Sequence, residues 1–177
     1  MLFRSEEWAD FLGREFPKFQ LIRVRWRSGR GPWDWAVAKD ESERSGLRLA
    51  AGLLAAADRA ASHQCPLPKI ILAGHSLGAR LMVACLSRLP EGMVESCFLL
   101  GAAVDRGDVR LKKVALRTRR PVFNFFSTND QVLNLLYPLG GGTLAAGLVT
   151  ISDHVANMDV SHVVSGHQDY CGNGKFA

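Results

Sequence analysis

The chain has 177 residues, 47% of them hydrophobic and 22% charged, the balance of a globular protein able to bury a core within one domain spanning residues 1–177. A formal charge of +5 invites a nucleic-acid partner, but no nucleic-acid-binding motif is present and none is expected. No apolar run approaches the roughly 18–20 residues of a membrane span, and Met1-Leu2-Phe3-Arg4-Ser5-Glu6-Glu7 lacks the apolar region of a signal peptide, which predicts a cytoplasmic protein.

In chain order, residues 5–16 carry Trp8, Phe11, Leu12 and Phe16 at helical spacing behind the candidate cap Ser5, and Pro17 closes the pattern. Residues 20–26 alternate Leu21, Ile22, Val24 and Trp26 with Arg23, Arg25 and Arg27, a strand pattern. A Gly/Pro loop over 28–35 brings Trp33 and Trp35 close to Trp26. Such rings could line an acyl pocket, with Trp26 touching substrate, or plug the end of a sheet. Residues 40–63 predict a long Ala/Leu-rich helix that Gly46 and Gly52 weaken slightly. Pro66 and Pro68 break the chain before the next element.

Residues 69–73 (Lys69-Ile70-Ile71-Leu72-Ala73) read as a short strand buried on both faces. Gly74-His75-Ser76-Leu77-Gly78 follows as G-x-S-x-G, and residues 77–89 continue with Leu77, Leu81, Ala84, Cys85 and Leu89 at helical spacing. A serine at the apex of a tight strand-to-helix turn is held in a strained conformation with its hydroxyl projecting, and small residues two before and two after it avoid collision. The N–H of Leu77 then lies at a helix N-terminus, where it can stabilise an oxyanion.

Further strands are expected over 94–100 and 121–126, a short helical piece over 131–137 that Pro138 closes, a mobile flap at Gly140-Gly141-Gly142, a weak last strand over 155–160 and a polar loop over 161–170. The basic stretch 106–120 (Arg106, Arg110, Lys112, Lys113, Arg117, Arg119, Arg120) reads either as a solvated connection or as a surface attracting anionic membrane lipid. Cys65, Cys85, Cys97 and Cys171 show no metal-ligand spacing, so neither a metal nor a cofactor is expected, and Cys85 and Cys97 read as buried thiols.

Gly-His-Ser-Leu-Gly-Ala-Arg resembles the nucleophile elbow of serine α/β-hydrolases, especially the lipase- and esterase-like members. The resemblance implies an α/β fold with a mostly parallel central sheet flanked by helices, and a Ser…Asp…His triad in chain order. The acid then lies just past a strand that follows the elbow, and Asp130 in Ser127-Thr128-Asn129-Asp130 occupies that place. Asp105 and Asp108 are rivals, and Asp130 could equally cap a helix. The base lies on a loop after the last strand, where His167 in His-x-x-Tyr resembles the family's His loop, with His162 and His154 as competitors. His75 is expected to pack beside the nucleophile, at the substrate, and His63 to be a surface residue. The implied activity is hydrolysis of carboxylic esters, lipid esters among them, through Ser76, His167, Asp130 and an acyl-enzyme.

One departure stands out. The family's second oxyanion donor comes from the loop after a strand that precedes the first helix, and Met1 begins where that loop is expected. Either the chain is N-terminally truncated, or residues 20–26 pair directly with the elbow strand and an N–H near Leu2 or Phe3 completes the hole. The same departure supports a rival reading, a catalytically impaired hydrolase-like domain used for binding.

Overall fold

The computed structural model describes residues 13–14, 17–27 and 34–171. Four strands, β1 (Ile70–His75), β2 (Val94–Leu100), β3 (Val122–Phe126) and β4 (Val155–Asp159), form one parallel sheet in sequence order. This is the α/β architecture with a parallel sheet that the nucleophile-elbow resemblance implies. Register runs across the sheet, with Ala73 opposite Phe98, Phe98 opposite Phe123, and Phe123 opposite Ala156. Each crossover steps one strand in the same direction, so right-handed connections bring the helices to one face. There Leu72, Cys97, Leu99 and Val122 share one buried cluster with Leu81, Val83, Leu111 and Val114.

The opposite face differs from expectation. Ile71 is 41% exposed and Met158 46% exposed, and Phe98 stacks on Phe123 at 5.2 Å between ring centroids, both half-buried. β1 is therefore buried on one face, although its apolar run reads as two-sided. An apolar run records what side chains tolerate, not how many layers pack upon them.

The strand expected over residues 20–26 does not form, so the alternative in which it pairs directly with the elbow strand does not hold, and among the described residues β1 pairs with β2 alone. The alternation is still visible. Val24 and Trp26 pack on the core, while Leu21 and Ile22 are 46% and 75% exposed. Period-two patterning selects the inward side chains, but a strand also requires a backbone partner. The helix predicted over 5–16 lies outside the described residues except for Gly13 and Arg14, as do Trp33, Leu2 and Phe3.

Helix α1 (Trp35–Ser62) begins five residues before the expected start. Tertiary contact explains the extra turn: Trp35 meets Tyr137 edge-on at 6.2 Å, and Lys39 Nζ donates to Gly140 O. Gly46, expected only to weaken the helix, lets α1 press against α2 (Leu77–Leu86), since a Cβ there would stand 2.3 Å from Leu81 O. Residues 106–120 contain an unexpected helix, α3 (Val109–Ala115), capped by Asp108, whose side chain accepts from Arg110 N–H. After β3 a π-helical turn (Val132–Leu136) runs into Tyr137–Leu139. Pro138 falls within that last turn rather than closing the piece after Tyr137, and the run ends at Gly140. Two of the glycines expected as a flap serve close packing: a Cβ at Gly140 would meet the Trp35 ring at 2.0 Å, and one at Gly142 the Tyr137 ring at 2.0 Å.

Candidate active site

The three parallel strands β1, β3 and β4 are each followed by one of the expected triad residues, so all three lie toward the C-terminal edge of the sheet. Ser76 occupies the turn between β1 and α2 at φ 56°, ψ −122°, backbone that an L-residue adopts only under strain. The turn is over-determined. Ser76 N–H donates to Leu100 O at 3.0 Å, and Ser76 O accepts from Ala79 N–H at 3.0 Å and Ala103 N–H at 3.1 Å. The steric argument holds for Gly74, where a Cβ would lie 2.4 Å from Gly78 O. It does not hold for Gly78, where a Cβ would meet nothing within 4 Å. Leu77 begins α2, so its N–H is one that the helix leaves without an intrahelical acceptor. Its side chain is buried with Leu133, Tyr137 and Leu148, and Trp26 packs against this cluster and the main core alike.

Asp130 is fully buried, and its two oxygens do different things. Oδ1 accepts from Leu133 N–H at 3.0 Å, capping the turn that follows, and Oδ2 lies 2.6 Å from His167 Nδ1. The cap and the histidine partner are thus one residue. The loop bearing His167 is stitched to the turn bearing Asp130. Ser127 Oγ donates to Val164 O at 2.8 Å, Asn129 Nδ2 donates to Ser161 O at 2.8 Å, and Thr128 N–H donates to Ser161 Oγ at 3.0 Å. The run Ser-Thr-Asn-Asp is short and polar because each side chain is spent on that junction.

His75 joins this loop to the serine turn. Its Nε2 lies 2.8 Å from His167 O, and its ring centroid is 4.6 Å from that of His167 and 5.5 Å from that of Tyr170. Tyr170 is 1% exposed. Burial, with His167 adding to it, pushes the His75 imidazole from 6.5 down to about 3. His75 is therefore neutral, and Nε2–H donates to the carbonyl. In the unfolded chain His75 takes up a proton below about pH 6.5. The folded chain resists this until about pH 3. The stabilisation is therefore present above pH 6.5 and lost as pH falls toward 3. At about 1.4 kcal/mol per pH unit, lowering the pH from 7 to 5 is expected to cost about 2 kcal/mol that a His75→Gln variant retains. Denaturant melts of both proteins at the two pH values check this, and equal losses would refute it.

The rivals are engaged elsewhere. Asp105 Oδ1 accepts from Thr143 N–H at 2.9 Å, and Asp108 caps α3 and pairs with Arg110 at 2.7 Å. His162 and His63 are exposed. His154 lines a polar cleft of about 370 Å³ with Arg106, Lys112 and Asp153, and none of Ser76, Asp130 or His167 borders it. Much of the basic stretch is also committed to the protein itself. Arg110 holds Glu43 and Asp108, Arg117 donates to Leu89 O, Arg119 to Gly92 O, and Arg120 pairs with Glu95. Cys85 and Cys97 are buried, and burial pushes the Cys85 thiol up to about 12 and Cys97 higher still. Arg80 and Tyr170, quoted in the motifs, escaped assignment from sequence. A cation one turn after the serine, on an otherwise apolar helix, was the available signal for Arg80.

The chain matches the family described as "Protein of unknown function (DUF726)" over residues 32–174. It is 36% identical over 149 residues to the "Transmembrane and coiled-coil domain-containing protein STS1" of Oryza sativa subsp. japonica, covering 77% of this chain and 21% of that protein. An "Uncharacterized membrane protein" of Caenorhabditis elegans is 33% identical over 111 residues (57% of this chain, 18% of that protein). Another of Schizosaccharomyces pombe is 29% identical over 144 residues (77% and 24%). The chain thus spans about a fifth of the length of these relatives. No solved structure matches it significantly. The cytoplasmic expectation is corrected by these names, since the relatives are described as membrane proteins. Among the described residues no helix is long and apolar enough to cross a membrane. Hydropathy reports only on the residues it is read from, and most of each relative's length lies outside the stretch matched here. Matched over residues 32–174, the chain belongs to the DUF726 family.

Proposed function

We propose that this chain is a serine hydrolase of carboxylic esters. The observation that carries the reading is a serine in a strained strand-to-helix turn, set beside a loop whose histidine is held by a buried carboxylate at 2.6 Å. Structural needs account poorly for that combination, because a strained backbone and a buried acid both cost stability. His167 Nε2 takes the Ser76 proton as Oγ attacks the ester carbonyl, and Leu77 N–H stabilises the oxyanion. His167 then returns the proton to the departing alcohol, and a water that His167 activates releases the acid from Ser76. Asp130 fixes the imidazole tautomer and supports its charged form. Relatives named as membrane proteins make membrane-lipid esters the first substrate class to try.

Purified protein treated with a fluorophosphonate probe is the test. The expected result is stoichiometric modification of the peptide carrying Ser76, with fluoride released, followed by hydrolysis of at least one member of a short- and long-chain ester panel. Folded protein that takes no probe would overturn the reading in favour of a binding domain that has kept the geometry without the chemistry.

A further inference from the structure

Arg80 lies one helical turn beyond Ser76 and is 7% exposed, among α2 residues that are nearly all buried. A buried guanidinium is unfavourable unless its donors are satisfied. Here they leave in three directions. Nε donates to Ala103 O at 3.0 Å, Nη1 to Glu43 Oε1 at 3.1 Å, and Nη2 to the Tyr137 hydroxyl at 3.1 Å.

Two of these partners lead back to the site. Ala103 is the residue whose N–H donates to Ser76 O, so the guanidinium holds one side of Ala103 while the serine turn holds the other. Tyr137 follows the turn whose Leu133 N–H is capped by Asp130 Oδ1. The third partner anchors the fork. Arg110 grips both oxygens of Glu43, at 2.6 and 2.8 Å, and is itself held by Asp108 at 2.7 Å. Burial raises the Glu43 carboxyl, but Arg110 and Arg80 outweigh it and hold it below the ordinary range. Glu43 is thus a fixed anion against which the guanidinium is oriented.

We propose that Arg80 is a positioning residue that ties the Ser76 turn, through Ala103, to the element carrying Asp130, through Tyr137, so that nucleophile and acid keep a common frame. The proposal rests on the hydrolase reading of the same site for its catalytic consequence, though not for the tie itself. Arginine suits the position because its planar fork presents separate N–H donors to the three partners, whereas a lysine ammonium is a point charge that reaches fewer of them at once. Misplacement of reacting groups by about 1 Å costs roughly a hundredfold in rate, and Glu43 keeps both bonds to Arg110 when Arg80 is replaced, so no carboxylate is left unpaired. The residue is therefore expected to matter more to rate than to folding.

The experiment compares wild type, Arg80→Met and Arg80→Lys by amide hydrogen exchange, thermal melting and fluorophosphonate labelling well below the melting point. Expected are faster exchange at Ala103 and Leu133 in Arg80→Met with β2 and β3 unchanged. Labelling at Ser76 should be slower by about 10–100-fold with near-native melting, a fall in kcat at constant KM, and partial recovery in Arg80→Lys. Unchanged exchange at both amides would overturn the tie, and wild-type labelling rates in Arg80→Met would overturn its consequence. If Arg80→Met unfolds, Tyr137→Phe removes one arm alone and must speed exchange at Leu133, or the tie is refuted. Absence of labelling in the wild type would instead refute the hydrolase reading, and the exchange data would still decide the tie.

Discussion

A Ser76→Ala protein is expected to take no fluorophosphonate and hydrolyse no ester while melting as the wild type does. The hydroxyl is the only group removed, and alanine bears the same Cβ in the same strained backbone at φ 56°, ψ −122°, so the strain and the hydrogen bonds of Ser76 N–H and O persist. Ser76→Gly separates strain from chemistry. Glycine adopts this region without steric penalty, which releases about 1–3 kcal/mol, against roughly 0.5–1 kcal/mol of extra chain entropy in the unfolded state. The glycine variant is therefore expected to be inert yet more stable than wild type by about 1 kcal/mol, a rise of about 2–4 °C in melting temperature for a chain this long. Were Ser76→Gly less stable than Ser76→Ala, the turn would not be storing strain. Residual turnover in Ser76→Ala would place the nucleophile elsewhere.

Asp130→Asn carries the second large effect. The substitution is nearly isosteric in a fully buried site, and the amide oxygen can still accept from Leu133 N–H where Oδ1 does now. The amide nitrogen then faces His167 Nδ1, where Oδ2 stands at 2.6 Å. Two donors cannot share that contact, so Nδ1 must become the acceptor and the ring proton moves to Nε2. In that tautomer His167 cannot take the Ser76 proton. Labelling and ester turnover are expected to fall about 10⁴-fold with little change in melting. A loss of less than tenfold would mean that Asp130 serves the fold as a cap and that another group orients the base.

Much of this architecture can be read from local signals. The strands Val94–Leu100 and Val122–Phe126 fall where apolar runs end at turn residues, and the elbow lies where Gly74 makes room for the backbone of Gly78. Asp130 and His167 were nominated because the resembled fold sets an acid and then a histidine after strands that follow the elbow, and they meet at 2.6 Å. The strands and the elbow depend on a few residues of neighbouring chain, through sterics and side-chain periodicity. Helix α3 also carries a local signal, Asp108 as a cap before Val109, within a stretch whose positive charge reads as a solvated connection.

What the sequence determined by itself, through its resemblance to a nucleophile elbow, was the class of fold, an α/β chain with a parallel sheet, and which serine, acid and histidine follow its strands. Only the tertiary structure decided whether residues 20–26 would be a strand, because a ladder needs a partner that no local pattern names. It also decided that Gly140 and Gly142 serve aromatic packing. Most of all, it joined Arg80 to Ala103, Glu43 and Tyr137, residues 23, 37 and 57 positions away along the chain. Hydrogen bonds over such separations leave no periodic trace in a single sequence, since their partners are set by how helices and loops pack around the sheet.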